Sequence, residues 1–182
     1  MRWLLLTSLF ALAVVAGCQP QGETDVAPVP AADIPVELTE TDAAGLQNAI
    51  RSHKGKVVLV DFWATWCGPC RATFPDFVAL HKKHSGRGLV CVSVSVDKLW
   101  PNGGPYSRDK VLSFLRDRGA AFPNYVLSET ADETEMERLF GLANSIPFQA
   151  LFDKDGVRVW DRRQQRLSEA QLDRLVAREL AK

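Results

Sequence analysis

The stretch that decides the fold is Val60-Asp61-Phe62-Trp63-Ala64-Thr65-Trp66-Cys67-Gly68-Pro69-Cys70. It continues an apolar run over 57–60, which is typical of a strand buried on both faces of a parallel sheet. Residues 67–84 then carry apolar side chains at helical spacing, so the two cysteines fall in the first turn of a helix. A Cys-x-x-Cys pair after a buried strand and at a helix start is a strong signal of thiol–disulfide redox chemistry.

The spacing of the two cysteines assigns a different role to each. Positions i and i+3 face the same side of a helix, so the sulfurs of Cys67 and Cys70 can form a disulfide. Cys67 lies nearest the unpaired amides and the positive dipole end of the helix, which favour its thiolate. We therefore predict that Cys67 is the attacking nucleophile, and that the more shielded Cys70 resolves the mixed disulfide. Pro69 suits the first turn, where its missing N–H costs little.

Three other roles for the cysteine pair are a structural disulfide, half of a zinc site and a haem attachment site. A zinc site needs four ligands, but only Cys91 is left in the domain, and His53, His81 and His84 show no partner spacing. Haem attachment needs a histidine after the second cysteine, where this chain has Arg71. A structural disulfide stays open as the alternative to a redox-active one.

Strand and helix patterns alternate through the rest of the chain, from about Val36 to the end. A capping box, Ser168-Glu169-Ala170-Gln171, opens the last helix. The alternation predicts an α/β fold with helices packed on a sheet. The predicted helices cover 42–52, 67–84, 107–118, 133–140 and a stretch from 169 onward; the predicted strands cover 57–60, 89–96, 124–127, 148–152 and 157–161.

The segment over 60–70 closely resembles the active-site segment of thioredoxin. The Phe74-Pro75 step, the N-terminal leader and the extra residues over 97–134 are more similar to the membrane-anchored TlpA and ResA branch of the thioredoxin superfamily. The resemblance implies a thioredoxin fold, with a central mixed sheet flanked by helices and a TlpA-like central insertion. It also implies an enzyme that needs no metal and no cofactor beyond the Cys67–Cys70 disulfide.

The same resemblance implies where a substrate binds. A cis-proline should face the cysteine pair from the loop before the hairpin, and Ile146-Pro147 occupies that place. In the family, the backbone of the residue before this proline pairs with the substrate strand. Trp66, Gly68 and Pro69, which surround the nucleophile, are assigned to substrate binding on the same ground.

Asp61 is the one acidic residue of its apolar strand. Burying an ionised carboxylate is costly, so we predict that its pKa is raised and that it exchanges a proton with Cys70. It matches the buried aspartate of thioredoxin; the alternative is a strand-end aspartate bonded to local backbone. TlpA-like and ResA-like proteins commonly carry a glutamate just before the Phe-Pro step. This chain has Thr73 there, so no role of that glutamate is carried over.

Two features beside the motif have simpler explanations. Cys91 lies between two valines in a predicted strand, so we expect it to behave as a small buried hydrophobic residue. The loop over 99–106 follows the carboxyl end of a parallel strand, where such folds bind their ligands. We expect it to pack on the surface, with contact of Trp100 and Tyr106 with substrate as the alternative.

The first residues predict export. Arg2 precedes an apolar run over 3–15, which is too short for a comfortable membrane span. Val15-Ala16-Gly17-Cys18 resembles the bacterial lipobox, which implies that Cys18 is lipidated and becomes the mature N-terminus; a plain secretory signal or an uncleaved anchor is the alternative. We predict a lipoprotein signal peptide over 1–17, a flexible tether over 18–35 and a thioredoxin-like domain over 36–182.

The predicted function is reduction of disulfides in exported proteins outside the cytoplasm. Lys+Arg and Asp+Glu number 22 each, which argues against a nucleic-acid partner. The resemblance implies apocytochrome c as one substrate and a membrane thiol-electron donor of the DsbD or CcdA type; we expect a monomer. A disulfide oxidase or isomerase is the main alternative. A peroxidase is a weaker alternative, because it needs a peroxidatic cysteine that is separate from the resolving one. A copper-binding module is also weaker, because it needs a Cys-x-x-x-Cys spacing and a distal histidine.

Overall fold

The computed structural model describes residues 35–182. The predicted signal peptide, the lipidation site at Cys18 and the tether up to residue 34 lie outside the described residues. These assignments therefore stay predictions. Within residues 35–182, no helix has the length and apolar character needed to cross a membrane.

One mixed sheet of six strands runs through the described residues. In chain order its strands are β1 (Thr39–Thr41), β2 (Val57–Trp63), β3 (Leu89–Ser95), β4 (Asn124–Leu127), β5 (Phe148–Phe152) and β6 (Arg158–Asp161). Side by side they follow the order β1-β4-β3-β2-β5-β6. β1, β4, β3 and β2 are parallel, whereas β5 is antiparallel to β2 and β6 is antiparallel to β5. The predicted mixed sheet is confirmed.

Five α-helices in the described residues each begin after a side chain that accepts a hydrogen bond from the first turn. They are α1 (Ala43–Ser52), α2 (Gly68–His84), α3 (Arg108–Asp117), α4 (Glu133–Phe140) and α5 (Glu169–Leu180), with caps at Asp42, Cys67, Ser107, Asp132 and Ser168. The predicted capping box at Ser168 and Gln171 is present. The predicted helices agree with these bounds to within a residue, because the polar residue that opens most of the patterns caps its helix from outside.

β2 is the central element that carries the cysteine pair. All seven of its residues are buried, and it lies between β3 and β5. A strand covered on both faces and paired on both edges gives a fixed starting point for the turn and helix that follow. The predicted strand over 57–60 is therefore correct but short, since β2 continues to Trp63.

An aromatic cluster fixes α2 and α3 against the sheet. The ring of Trp63 at the end of β2 lies 5.2 Å from that of Phe74 in α2 and 4.6 Å from that of Phe114 in α3. Phe74 and Phe114 are 5.1 Å apart, with their rings edge to face. Burying each aromatic side chain stabilises the fold by roughly 1.5–3 kcal/mol. The helix that begins at the cysteine pair is thereby held in place.

The residues predicted as a central insertion lie between β3 and α4. They comprise a loop after β3, then α3, then β4, which pairs with both β3 and β1. β1 itself was not predicted. Its sequence Thr39-Glu40-Thr41 is short and polar, and it joins the sheet through its backbone at the edge of β4.

Candidate active site

The cysteine pair lies where β2 gives way to α2. Cys67 and Cys70 form a disulfide, and their Cα atoms are 5.3 Å apart. The Cys67 sulfur also accepts the backbone N–H of Cys70 at 3.2 Å, so this cysteine caps the helix. A capping position at a helix N-terminus stabilises negative charge, and this environment favours a thiolate at Cys67 once the disulfide is reduced.

Solvent reaches the two sulfur-bearing residues unequally. Cys67 is 6% exposed and Cys70 is 1% exposed, while Gly68 and Pro69 between them are exposed. An incoming partner therefore meets Cys67 first. This agrees with the predicted division into an attacking Cys67 and a resolving Cys70, although the roles themselves stay predictions.

The cis-proline segment borders the same region. The Ile146–Pro147 peptide bond is cis, as the resemblance implied. Ile146 and Trp66, the residue before the nucleophile, line one cleft of about 390 Å³, which we call the aromatic cleft; its other lining residues are Trp100, Asn102, Asn144 and Ser145. The structure thus brings two predicted substrate-binding residues together. Pro147 lines a neighbouring cleft instead, and Gly68 and Pro69 lie exposed at the start of α2.

The insertion loop forms one wall of the aromatic cleft. Trp100 lines it, whereas Tyr106 does not. Gly103 packs so closely on the Trp66 side chain that a Cβ atom at this position would collide with it. The indole N–H of Trp66 is buried and has no hydrogen-bond partner among the described residues. The loop is therefore packed on the surface, as expected, but it also shapes the space beside the nucleophile.

Asp61 is buried in the middle of the sheet, with 3% of its surface exposed. It pairs with Ser93 of β3 on one side and Gln149 of β5 on the other. Burial raises its pKa from 3.8 to about 7, although hydrogen bonding to Gln149 and the positive charge of Arg162 act in the opposite direction. The predicted rise is confirmed. The hydrogen bond of this carboxyl is to the side chain of Gln149 in β5, which is distant in the chain, and this disfavours the local-bonding alternative.

Cys91 has no access to solvent and lies in β3. Burial raises the pKa of its thiol well above the usual value, and the nearby Asp61 raises it further. A protonated, enclosed thiol is a poor nucleophile. The prediction that Cys91 is a small buried hydrophobic residue is confirmed.

Asp97 holds the turn before the nucleophile, and the sequence analysis missed it. Its carboxylate is 5% exposed and accepts the backbone N–H of Thr65 at 2.9 Å, the Thr65 hydroxyl, and the Ser95 hydroxyl at 2.7 Å. It therefore ties the end of β3 to the residue two positions before Cys67. The available signal was an acidic residue just beyond the carboxyl end of a parallel strand next to β2.

We expect Asp97→Asn to destabilise the protein by about 1–3 kcal/mol, the cost of leaving buried donors unpaired. The amide NH₂ would face the Thr65 and Ser95 donors, so it cannot replace both carboxylate oxygens. Urea unfolding of the oxidised chain measures the loss. Asp117→Asn, an exposed change in α3, is the matched control, and equal stability of the two variants would contradict the role assigned to Asp97.

The buried Asp61 also predicts how stability changes with pH. Between about pH 4 and pH 7 the folded chain keeps a proton on Asp61 that the unfolded chain has lost, since the pKa values are about 7 and 3.8. The folded chain then binds more protons than the unfolded chain. The free energy of unfolding therefore falls as the pH rises from about 4 to about 7, by on the order of 1 kcal/mol per pH unit, and levels off above about pH 7. Asp61→Asn should lack this contribution. Urea titrations at several pH values test it, and parallel curves for the two proteins would refute it.

Metal chemistry has no evident site in the described part of the chain. Among residues 35–182, no group of three or more His, Cys, Asp or Glu side chains is placed to hold a metal ion. The redox-capable group in this part of the chain is the Cys67–Cys70 disulfide. That the protein works without a cofactor stays a prediction.

Fold and site together define a class: a thioredoxin-fold protein with a Cys-x-x-Cys disulfide at a helix N-terminus and a cis-proline directly before β5. Residues 29–159 match the AhpC/TSA family. The chain therefore belongs to the AhpC/TSA family, within the thioredoxin superfamily.

Individual relatives place it more narrowly. The chain is 26% identical over 118 residues to thiol-disulfide oxidoreductase ResA of Bacillus thuringiensis, covering 64% of this chain and 60% of that protein. It is 44% identical over 46 residues to a thioredoxin of Coprinus comatus, covering 25% of this chain and 43% of that protein. The matches thus span from under half to three fifths of these relatives.

A solved structure agrees with the fold over a larger share. The thiol:disulfide interchange protein of the thioredoxin family from Chlorobium tepidum superposes with a TM-score of 0.58 at 27% identity. The match covers 71% of this chain and 83% of that one. Together with the ResA relative, it confirms the thioredoxin fold and the predicted likeness to the TlpA and ResA branch.

Proposed function

We propose that this protein is an extracytoplasmic thiol–disulfide oxidoreductase that reduces disulfides in exported proteins. The observation that carries the proposal is the Cys67–Cys70 disulfide, with Cys67 as the cap of α2. The family, and the names of the ResA and interchange-protein relatives, support this reaction class. Apocytochrome c is the substrate that we propose on the resemblance.

The reaction proceeds in two exchange steps. The reduced Cys67 thiolate attacks one sulfur of the substrate disulfide, forms a mixed disulfide and releases the other substrate sulfur as a thiolate. The Cys70 thiolate then attacks the Cys67 sulfur and releases the second substrate thiolate. Two electrons pass from the cysteine pair to the substrate, and Asp61 accepts the proton that Cys70 loses. A membrane thiol donor of the DsbD or CcdA type restores the dithiol.

The substrate strand lies along the cis-proline segment in this proposal. The backbone of Ile146 pairs with it, while Gly68 and Pro69 are exposed beside the nucleophile and leave room for it. Trp66 lines the aromatic cleft together with Ile146 and offers its ring as an apolar contact for a substrate side chain. Pro147 has no backbone N–H, so this residue donates no ladder hydrogen bond to the substrate strand.

The direction of electron flow is tested by the reduction potential of the cysteine pair in the full chain. We expect a value of about −250 mV or lower, since a reductase lies at the reducing end of the range for this fold. Thiol trapping across glutathione and dithiothreitol buffers measures it. A value of about −120 mV would make the protein an oxidase or isomerase. The absence of any two-electron transition would overturn the proposed redox function.

Peroxide reduction is a second candidate because the matching family is the AhpC/TSA family. A peroxidase needs a thiolate in its own pocket and a separate resolving cysteine. Cys91 is enclosed with a raised thiol pKa, so the reaction would have to use Cys67 itself. Consumption of hydrogen peroxide by the reduced chain at a rate above that of free dithiothreitol would favour this candidate.

For location and assembly, we propose a monomer that is exported and anchored by lipid at Cys18, facing the periplasm or its equivalent. The lipobox resemblance supports the anchor. A reductase in an oxidising compartment also requires the membrane donor named above, and an anchor keeps the two close.

A further inference from the structure

A second cleft lies on the other side of the cis-proline segment from the aromatic cleft. It encloses about 330 Å³ and is lined by Ser145, Pro147, Phe148, Arg162, Arg163 and Arg166. We call it the arginine cleft. Ser145 lines both clefts, so the segment that ends in the cis-proline separates them.

The turn that carries the arginines is rigidly built. The buried carboxylate of Asp161, 4% exposed, accepts the backbone N–H groups of Arg163 at 2.9 Å and Gln164 at 3.1 Å. The indole N–H of Trp160 donates to the carbonyl of Gln165 at 3.0 Å and closes the turn. The arginine side chains therefore project from a fixed backbone.

One hydrogen bond joins this turn to the strand that follows the cis-proline. The backbone N–H of Arg162 donates to the carbonyl of Gln149 in β5 at 3.0 Å. Arg162 is half-buried, and its positive charge acts to lower the pKa of Asp61. Asp61 of β2 is paired with Gln149 of β5 in the sheet. The cleft is thus attached to β5, the strand that pairs with β2, after which the reactive cysteines lie.

Among residues 35–182, one of the three guanidinium groups forms a salt bridge and two do not. Arg163 is paired with Glu137 at 2.6 Å. Arg162 and Arg166 form no salt bridge within residues 35–182. Arginine binds a carboxylate through two parallel hydrogen bonds, so the complementary occupant of this cleft is an acidic side chain.

We propose that the arginine cleft binds an aspartate or glutamate of the substrate segment that lies along Ile146 and Pro147. The proposal rests on the proposed function, since the cleft meets a substrate only when that segment is engaged at Cys67. Side chains of an extended strand alternate in direction, and those on one side recur about 7 Å apart. A strand whose cysteine reaches Cys67 can therefore present a neighbouring side chain to the cleft. The protein would favour disulfides flanked by acidic residues.

The test uses peptides that carry one cysteine as a mixed disulfide with a chromogenic aryl thiol. The Cys67 thiolate of the reduced full chain attacks the peptide sulfur, forms the Cys67–peptide disulfide and releases the coloured aryl thiolate, which reports the rate. A single Asp, Asn or Lys is placed in turn at each of three positions on either side of the cysteine. We expect the best Asp peptide to react about fivefold faster than its Asn counterpart, with the advantage lost at high salt.

Matched variants separate this cleft from overall charge. Arg162→Gln/Arg166→Gln should make the Asp and Asn peptides react at equal rates. The readout is the ratio of the two rates within each protein, because Arg162 also lowers the pKa of Asp61 and its loss changes the absolute rate with every peptide. Arg51→Gln/Arg116→Gln alters net charge by the same amount at exposed positions elsewhere and should retain the preference. Equal rates for Asp and Asn peptides at every position, or loss of the preference in both double variants, would overturn the proposal. If no peptide reacts, the proposed function fails together with it, whereas turnover without preference refutes the cleft alone.

Discussion

Cys67→Ser is expected to lower disulfide exchange to the rate without protein, and Cys70→Ser to stop the reaction at a mixed disulfide on Cys67. The reason is the asymmetry of the pair. Cys67 caps α2 and is the more exposed of the two, so it forms the bond to the substrate. Cys70 is 1% exposed and one turn deeper, so no outside thiol easily replaces it in the second step.

The measurement is turnover of a disulfide substrate, together with mass spectrometry of the unreduced reaction mixture. Cys70→Ser should carry one covalently bound substrate chain, which a reductant releases. Cys91→Ala, which removes the enclosed thiol of β3, is the control and should retain turnover. A substrate chain trapped on Cys70 in the Cys67→Ser variant, at the same yield, would reverse the assignment.

Asp61→Asn is expected to slow exchange on the order of a hundredfold at pH 7, within the range for loss of a general acid–base group. With a pKa of about 7, the Asp61 carboxyl gives and takes a proton with nearly equal ease near neutral pH. An amide does neither. Below about pH 6 the wild-type carboxyl is itself protonated and accepts no proton, so the difference between the two proteins should narrow there.

Rates of single-turnover exchange from pH 5 to pH 8 test this prediction. The wild-type rate should rise as the Asp61 carboxylate forms, and the variant should lack that rise. Glu179→Gln makes the same chemical change at a buried acid of α5 and serves as the control. An unchanged rate for Asp61→Asn at pH 7 would remove Asp61 from the mechanism.

The sequence predicted those parts of the molecule whose signals are local. The apolar run before Cys67 identified β2, and capping residues such as Ser168 fixed where helices begin, because each pattern lies within one element. Asp61 stood out because an acid in a buried strand is energetically unusual. The cis bond before Pro147 came from the resemblance, not from any local pattern.

The features that sequence analysis missed depend on neighbours distant in the chain. β1 has three polar residues, and only its pairing with β4 makes it a strand. Asp97 matters because its carboxylate meets Thr65, a contact that follows from the adjacency of β2 and β3. Arg162 and Arg166 face the cis-proline segment only after the hairpin folds back, so their spacing alone carries no such meaning.

The packing of Gly103 on Trp66 has a consequence for how such a protein diversifies. The insertion loop and the segment before the nucleophile share one interface, so neither can be exchanged as a separate module. A loop transplanted from a relative brings its own wall for the aromatic cleft, and a side chain at position 103 shifts the tryptophan next to the reactive sulfur. Because the loop lines the aromatic cleft, exchanging it changes the shape of that cleft, while the Cys67–Cys70 disulfide stays at the junction of β2 and α2.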